Sequence, residues 1–158
     1  MRLMSSDGDT AGVLAPPPLI YLVGLGLGLL LNAFLPEASL PAAVRWPLGA
    51  LLVVGGVSLM ATFVGAFRRA QTNVDPSKPT TAIVTSGPYR FTRNPGYLGM
   101  ALVFSGISLL ADAPWAFLLL LPTMAVIDRG VIVREERYLE GKFGEEYLTY
   151  EGRVRRWL

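Results

Sequence analysis

The chain alternates between long apolar runs and short polar stretches. Residues 14–35 and 47–67 contain no charged side chain. A helix needs roughly 20 apolar residues to cross ~30 Å of hydrocarbon. Each of these two runs therefore predicts one membrane-spanning helix.

Two further apolar runs, 95–111 and 113–133, are separated by Asp112 alone. Asp112 and Pro114 are typical of a tight turn, so the two runs predict a helical hairpin. Their strictly apolar parts are shorter than a usual span, which allows a shallow or tilted hairpin. The pattern thus predicts one all-α integral membrane domain over 1–158, with about four transmembrane helices.

The segment after the fourth run predicts an amphipathic helix. Leu139, Phe143 and Tyr147 recur every four residues among charged side chains, with candidate breaks at Gly141 and Gly144. Such a helix either lies on the membrane surface or folds over the cytosolic mouth of the bundle, and the pattern favours neither.

Basic residues are clustered along the chain. The loop 68–94 holds five Lys and Arg and the chain from Arg129 onward holds seven, whereas Arg45 is the single basic residue between the first two runs. The positive-inside rule therefore predicts that the loop and the tail 134–158 are cytoplasmic. With four spans the N-terminus is also cytoplasmic, and Arg2 agrees with this orientation.

Composition narrows the possible chemistry. Hydrophobic residues make up 52% of the chain, and its net charge of +2 is too small to indicate a nucleic-acid partner. The chain has no cysteine and no histidine. It therefore lacks thiolate nucleophiles, zinc–sulfur ligands and the usual general base near neutral pH. No metal site is predicted, and no catalytic residue is assigned.

The stretch 86–99 concentrates aromatic, arginine and glycine residues where the chain re-enters the membrane. Asn94 suits a helix N-cap and Pro95 the first helical position. One interpretation is a well-formed helix start with interfacial anchors. The other is an anion site, in which the free N–H groups of the helix, Arg90 and Arg93 bind a carboxylate or phosphate.

The same stretch and a pair of carboxylates offer further ligand contacts. Tyr89 and Tyr97 can line a pocket, and Glu135 and Glu136 follow the fourth run. Adjacent helical residues point about 100° apart, so one carboxylate can face a pocket while the other faces water. The pair either forms a solvated surface with neighbouring arginines or recognises an amino group or ribose diol.

Three elements together resemble a known superfamily. Residues 87–99 read Gly-Pro-Tyr-Arg-Phe-Thr-Arg-Asn-Pro-Gly-Tyr-Leu-Gly, and the Glu135–Glu136 pair and the Phe-Gly-Glu-Glu-Tyr of 143–147 follow. Their order resembles the signature of the isoprenylcysteine carboxyl methyltransferase and phospholipid methyltransferase superfamily. The resemblance covers roughly residues 81–157, with Asn94 in the place of the family's usual histidine.

The resemblance implies a small bacterial-type enzyme of the inner membrane that binds S-adenosylmethionine at its cytosolic face. The implied methyl acceptor is apolar or membrane-accessible: a carboxylate, a thiol or a lipid head group. The candidate cofactor-binding residues are Tyr89, Arg90, Arg93, Asn94, Pro95, Tyr97, Leu98, Gly99, Glu135 and Glu136.

Two other functions remain open from the sequence. Membrane sterol reductases carry a similar motif and bind NADPH, although they are generally much larger. A non-catalytic membrane module is favoured by Asn94, because asparagine cannot carry a proton. The absence of histidine mildly favours an acceptor that is already anionic.

Overall fold

The structure is a computed structural model that describes residues 10–35 and 39–158. All regular structure in these residues is helical. Arg2, which supported the predicted orientation, lies outside them. The helices are α1 (Pro17–Phe34), α2 (Ala42–Arg69), α3 (Pro95–Leu110), α4 (Pro114–Ile127), α5 (Val133–Phe143) and α6 (Glu145–Glu151). A short 3₁₀ turn covers Gly87–Arg90, and a π-helical turn, Asp128–Ile132, joins α4 to α5.

Within residues 10–35 and 39–158, three helices are long and apolar enough to cross a membrane: α1, α2 and the continuous helix Pro114–Phe143. The fourth apolar helix, α3, has 16 residues and is shorter. Large apolar side chains on α1 and α2 point outward, and Leu22 and Leu51 are 65% and 67% exposed. Such surfaces are stable against lipid tails, so the prediction of an all-α integral membrane protein is confirmed.

Helix α2 begins before the uncharged run that predicted it. It starts at Ala42 and includes Arg45 and Pro47. Arg45 forms an ion pair at 2.5 Å with Asp112, whose carboxylate also accepts a hydrogen bond from the backbone N–H of Leu40 at 3.1 Å. Because this ion pair compensates the charge of Arg45, α2 can include Arg45 and begin before the apolar run 47–67. Asp112 itself occupies the predicted tight turn, with a φ of +52°.

Glycines allow α2 and α3 to approach closely. Gly49 faces Gly106, and Gly56 faces Gly99. A Cβ atom at Gly56 would lie 2.6 Å from the carbonyl oxygen of Gly99, closer than real Cβ contacts. Small residues at such crossings let helix backbones pack tightly in a membrane. This contact holds the start of α3 against α2.

The buried core lies where α1, α3, α4 and the π-helical turn meet. Tyr21 and Phe104 pack edge-on, with ring centroids 6.5 Å apart. Partly buried Trp157, near the C-terminus, packs against the same core. The core residues are Tyr21, Ala101, Phe104, Ile127, Val131 and Ile132.

The amphipathic segment breaks at Gly144, the second of the two candidate positions. Gly144 has a φ of +55°, a conformation that glycine adopts at low cost, and it separates α5 from α6. Helix α6 then folds back over the start of α3. Tyr147 is 3% exposed, and the Tyr150 hydroxyl donates to the carbonyl of Tyr89 at 2.9 Å. The segment therefore covers the end of the bundle.

Candidate active site

A cavity lies at the end of the bundle where α3 begins. It is bounded by the end of α2, the loop before α3, α5 and α6. Six of the predicted residues line it: Tyr89, Arg93, Asn94, Tyr97, Glu135 and Glu136. The fold thus brings the polar stretch before α3 together with the carboxylate pair on α5.

The other four predicted residues do not line this cavity. Arg90 is exposed, Pro95 is buried and Leu98 is half-buried. A Cβ atom at Gly99 would lie 2.7 Å from Cγ of Met60 on α2, so Gly99 serves the contact between helices. The four candidates therefore lie apart from the cavity wall, because only one side of the α3 start faces it.

The two adjacent glutamates have different partners. The Tyr97 hydroxyl donates to Oε1 of Glu135 at 2.7 Å. Glu136 instead pairs with Arg93 at 3.1 Å and with Arg156 at 2.5 Å. Both carboxylates reach the cavity, so the interpretation of the pair as a solvated surface is wrong. Glu136 is neutralised by two arginines, whereas no Lys or Arg of the described residues pairs with Glu135.

Asn94 occupies the N-cap position of α3, but its side chain makes no capping hydrogen bond. Its amide nitrogen donates to the carbonyl of Arg156 at 2.9 Å, and its backbone N–H donates to Oγ1 of Thr92 at 3.2 Å. The expected side-chain cap is therefore absent, because the C-terminal segment binds the amide group. The first N–H groups of α3 keep the positive end of the helix dipole without a side-chain cap.

Arg93 is the central cation of the cavity wall. Its Nη1 contacts Glu151, Glu136 and, at 3.4 Å, the Tyr147 hydroxyl. Its Nε is buried and has no hydrogen-bond partner among the described residues. A buried donor without a partner costs free energy, so this atom is a candidate contact for an anionic ligand group.

An aromatic wall from α2 completes the cavity. The ring centroids of Phe63 and Phe67 lie 5.1 Å apart, and that of Tyr89 lies 6.2 and 5.8 Å from them. Phe63 and Phe67 were not among the residues predicted from the sequence, since an apolar residue on a membrane helix carries no local signal for a ligand site. A cluster of tilted rings of this kind suits a planar base or an apolar chain.

The loop between α2 and α3 covers the other side. Its residues Asn73, Val74 and Ile83 line the cavity, and the N–H of Thr80 donates to the Tyr138 hydroxyl on α5 at 3.1 Å. Its unusual length is the sequence signal that could have placed these residues at the site. The remaining lining residues are Ala11, Pro76, Thr80, Ala82, Val84, Gly96, Ile132, Tyr138, Leu139, Tyr147 and Tyr150.

Glu135 follows the predicted span 113–133, two residues after its end. The continuous helix has 30 residues, about ten more than a span needs, and Glu135 is in its last third. Burial raises the pKa of the Glu135 carboxyl to about 7, the charge of Glu136 adds to the rise, and the Tyr97 hydrogen bond opposes it. Burial and Glu136 likewise raise the pKa of Tyr147 to about 12. The Glu135 carboxyl therefore titrates near neutral pH.

The fold and the cavity define a helical membrane protein with an acidic and aromatic pocket at one end. The phospholipid methyltransferase family model matches residues 44–146, about two thirds of the chain. The chain belongs to this family of membrane methyltransferases. It is also similar to an uncharacterized protein of Haemophilus influenzae, with 42% identity over 62 residues that cover 39% of this chain and 98% of that protein.

Proposed function

We propose that the protein is an S-adenosylmethionine-dependent methyltransferase that acts at the membrane on an apolar or membrane-accessible acceptor. The observation that carries this proposal is the convergence of Arg93, which precedes α3, and Tyr97 of α3 with Glu135 and Glu136 from α5 in one cavity. The acceptor group is a carboxylate, a thiol or a lipid head group.

The residues of the cavity fit the chemical groups of this cofactor. Glu135 suits a cationic amino group, and the unpartnered Nε of Arg93 suits a carboxylate. The aromatic wall formed by Phe63, Phe67 and Tyr89 suits an adenine ring. When bound, S-adenosylmethionine supplies a methyl group on sulfur with an activated leaving group. The protein then needs chiefly to orient the acceptor and exclude water, for which the loop and α6 are placed.

Aliphatic side chains in the cavity lining support an apolar acceptor. Val74 and Ile83 from the loop and Leu139 from α5 contribute aliphatic side chains. A carboxylate or thiolate acceptor is already nucleophilic near neutral pH, so its methylation needs no histidine base. Membrane lipid is the proposed partner of the surrounding helices. We further propose that the cavity faces the cytoplasm of a bacterial inner membrane, because the basic loop and tail surround it.

Isothermal titration of the full chain in lipid nanodiscs tests the proposed cofactor. We expect S-adenosylhomocysteine to bind with micromolar affinity and NADPH to show no heat of binding, since the acidic Glu135 disfavours added phosphates. Binding of NADPH alone would refute the methyltransferase proposal, and binding of neither would favour a non-catalytic module. With binding shown, transfer of a tritiated methyl group to lipid, thiol and prenylcysteine acceptors identifies the substrate.

The ionisation of Glu135 predicts a pH-dependent affinity. Its pKa of about 7 means that the carboxylate is mostly neutral at pH 6 and mostly charged at pH 8. If the charged form binds the ligand amino group, affinity for S-adenosylhomocysteine rises by up to about tenfold over this interval. The groups facing Glu135 are Tyr97, Tyr89 and Glu136, and Tyr89 stays neutral throughout, because burial raises its pKa.

Titrations at pH 6, 7 and 8 measure this dependence, with Glu135→Gln as the matched variant. The variant should bind more weakly and show a flat profile. The same pKa shift makes the unliganded protein less stable as the pH rises from about 4.5 to about 7, since the folded state holds the proton more tightly. Thermal melting therefore separates the effect on binding from the effect on stability. A slope that persists in Glu135→Gln would contradict the assignment.

A further inference from the structure

The C-terminal segment 153–158 connects the two halves of the cavity wall. The carbonyl of Arg155 accepts a hydrogen bond from the backbone N–H of Arg93 at 2.9 Å. The carbonyl of Arg156 accepts from Oγ1 of Thr92 at 3.1 Å and from the Asn94 amide at 2.9 Å. Three consecutive residues before α3 are thus tied to this segment.

The side chain of Arg156 makes the second connection. Its Nε and Nη2 bind the two carboxylate oxygens of Glu136 at 3.1 and 2.5 Å, and its Nη1 lies 3.4 Å from Asp128. Such paired bonds fix the plane of a carboxylate, which a single bond does not. Arg156 therefore bridges the start of α3, the π-helical turn and α5, although it lies outside the cavity lining.

Charge balance shows why this bridge affects the cavity. Glu136 is shared between Arg156 and Arg93, and Arg93 also binds Glu151. The group of five side chains holds two cations and three carboxylates. Without Arg156, Asp128 would lose this partner, and Glu136 and Glu151 would compete for the single guanidinium of Arg93. Arg93 would then turn towards Glu136, and its buried Nε would lose its present direction.

We propose that Arg156 is a positioning residue of the cofactor site, which fixes Glu136 and Arg93 by its side chain and the start of α3 by its carbonyl. The inference rests on the proposed function for its effect on ligand affinity. In the free protein, the C-terminal segment orders the backbone of residues 92–94 whether or not a ligand is bound.

The ligand-independent test is hydrogen–deuterium exchange of the full chain in nanodiscs. Arg156→Gln should speed exchange at the amide of Arg93, which bonds to the C-terminal segment. Arg153→Gln is the matched control, because Arg153 is exposed on the same segment and its side chain forms no hydrogen bond or ion pair with the described residues. Equal exchange in the wild type and Arg156→Gln would overturn the positioning role, whatever ligand the protein binds.

The affinity test uses S-adenosylhomocysteine titrations well below each variant's melting temperature. We expect Arg156→Gln to weaken binding about fivefold and Arg156→Lys to weaken it less, with Arg153→Gln unchanged. In a Glu136→Gln background, Arg156→Gln should have little further effect, since the two residues act through one contact. Independent, additive losses would contradict action through Glu136. An absence of binding in the wild type would instead refute the proposed function and leave the exchange result to decide the positioning role.

Discussion

Gly56→Ala is expected to lower the stability of the protein by about 2 kcal/mol, because overpacking of a close contact typically costs 1–3 kcal/mol. Its new Cβ would lie 2.6 Å from the carbonyl oxygen of Gly99 and 2.9 Å from the backbone nitrogen of Val103. Both neighbours are backbone atoms, so α3 as a whole must move away from α2. The start of α3 carries the cavity residues, and ligand affinity should fall along with stability.

Gly55→Ala is the matched control for this substitution. Gly55 precedes Gly56 on the same helix, yet a Cβ there meets no atom within 4 Å. Its replacement should leave the melting temperature unchanged or slightly higher, since alanine favours the helix. Gly56→Ala should lower it by about 5 °C for a chain of this size. Melting in detergent or nanodiscs measures both, and equal effects of the two substitutions would contradict the packing of α2 on α3.

Arg93→Ala is expected to weaken binding of S-adenosylhomocysteine at least about tenfold, or about 1.4 kcal/mol. The substitution removes the buried Nε, which has no hydrogen-bond partner among the described residues. It also removes the guanidinium that pairs with Glu136 and Glu151. Both effects act on the cavity wall. Because a broken buried ion pair also destabilises the fold, affinity must be compared at a temperature where the variant is fully folded.

Arg90→Ala is the natural control for Arg93→Ala. Arg90 lies three residues earlier in the same stretch, but it is exposed and does not line the cavity. Its removal should leave the affinity within about twofold of the wild type. Equal losses from both arginines would mean that binding depends on the overall positive charge of the stretch. Unchanged affinity in a folded Arg93→Ala protein would refute the site assignment.

The apolar runs of the sequence predicted all four apolar helices and the tight turn at Asp112. Such patterns are local, since roughly 20 apolar residues in a row have a lower free energy in lipid than in water whatever surrounds them. The apolar runs did not predict that α2 includes the charged residue Arg45. Its inclusion in α2 depends on an ion pair with Asp112, which lies far away in the sequence. Element types could therefore be predicted, whereas this boundary could not.

Part of the candidate site was also accessible from the sequence. The stretch 87–99 and the Glu135–Glu136 pair stood out because arginine, glycine and adjacent carboxylates are unusual beside a membrane. Phe63 and Phe67 carried no such signal, because aromatic residues are ordinary on a spanning helix. The direction in which each side chain points depends on how α3, α5 and α6 cross, and local periodicity does not determine those crossings.

By itself, the sequence determined that this protein is a bundle of membrane helices with a polar site before the third apolar helix, because hydrophobic length and clustered charge are properties of neighbouring residues. Only the tertiary structure decided the roles within that site. It assigned Glu135 to the cavity, Glu136 to a pair of arginines, Gly99 to the contact with α2 and Asn94 to the C-terminal segment. These assignments depend on residues far apart in the chain, which meet only when the helices pack.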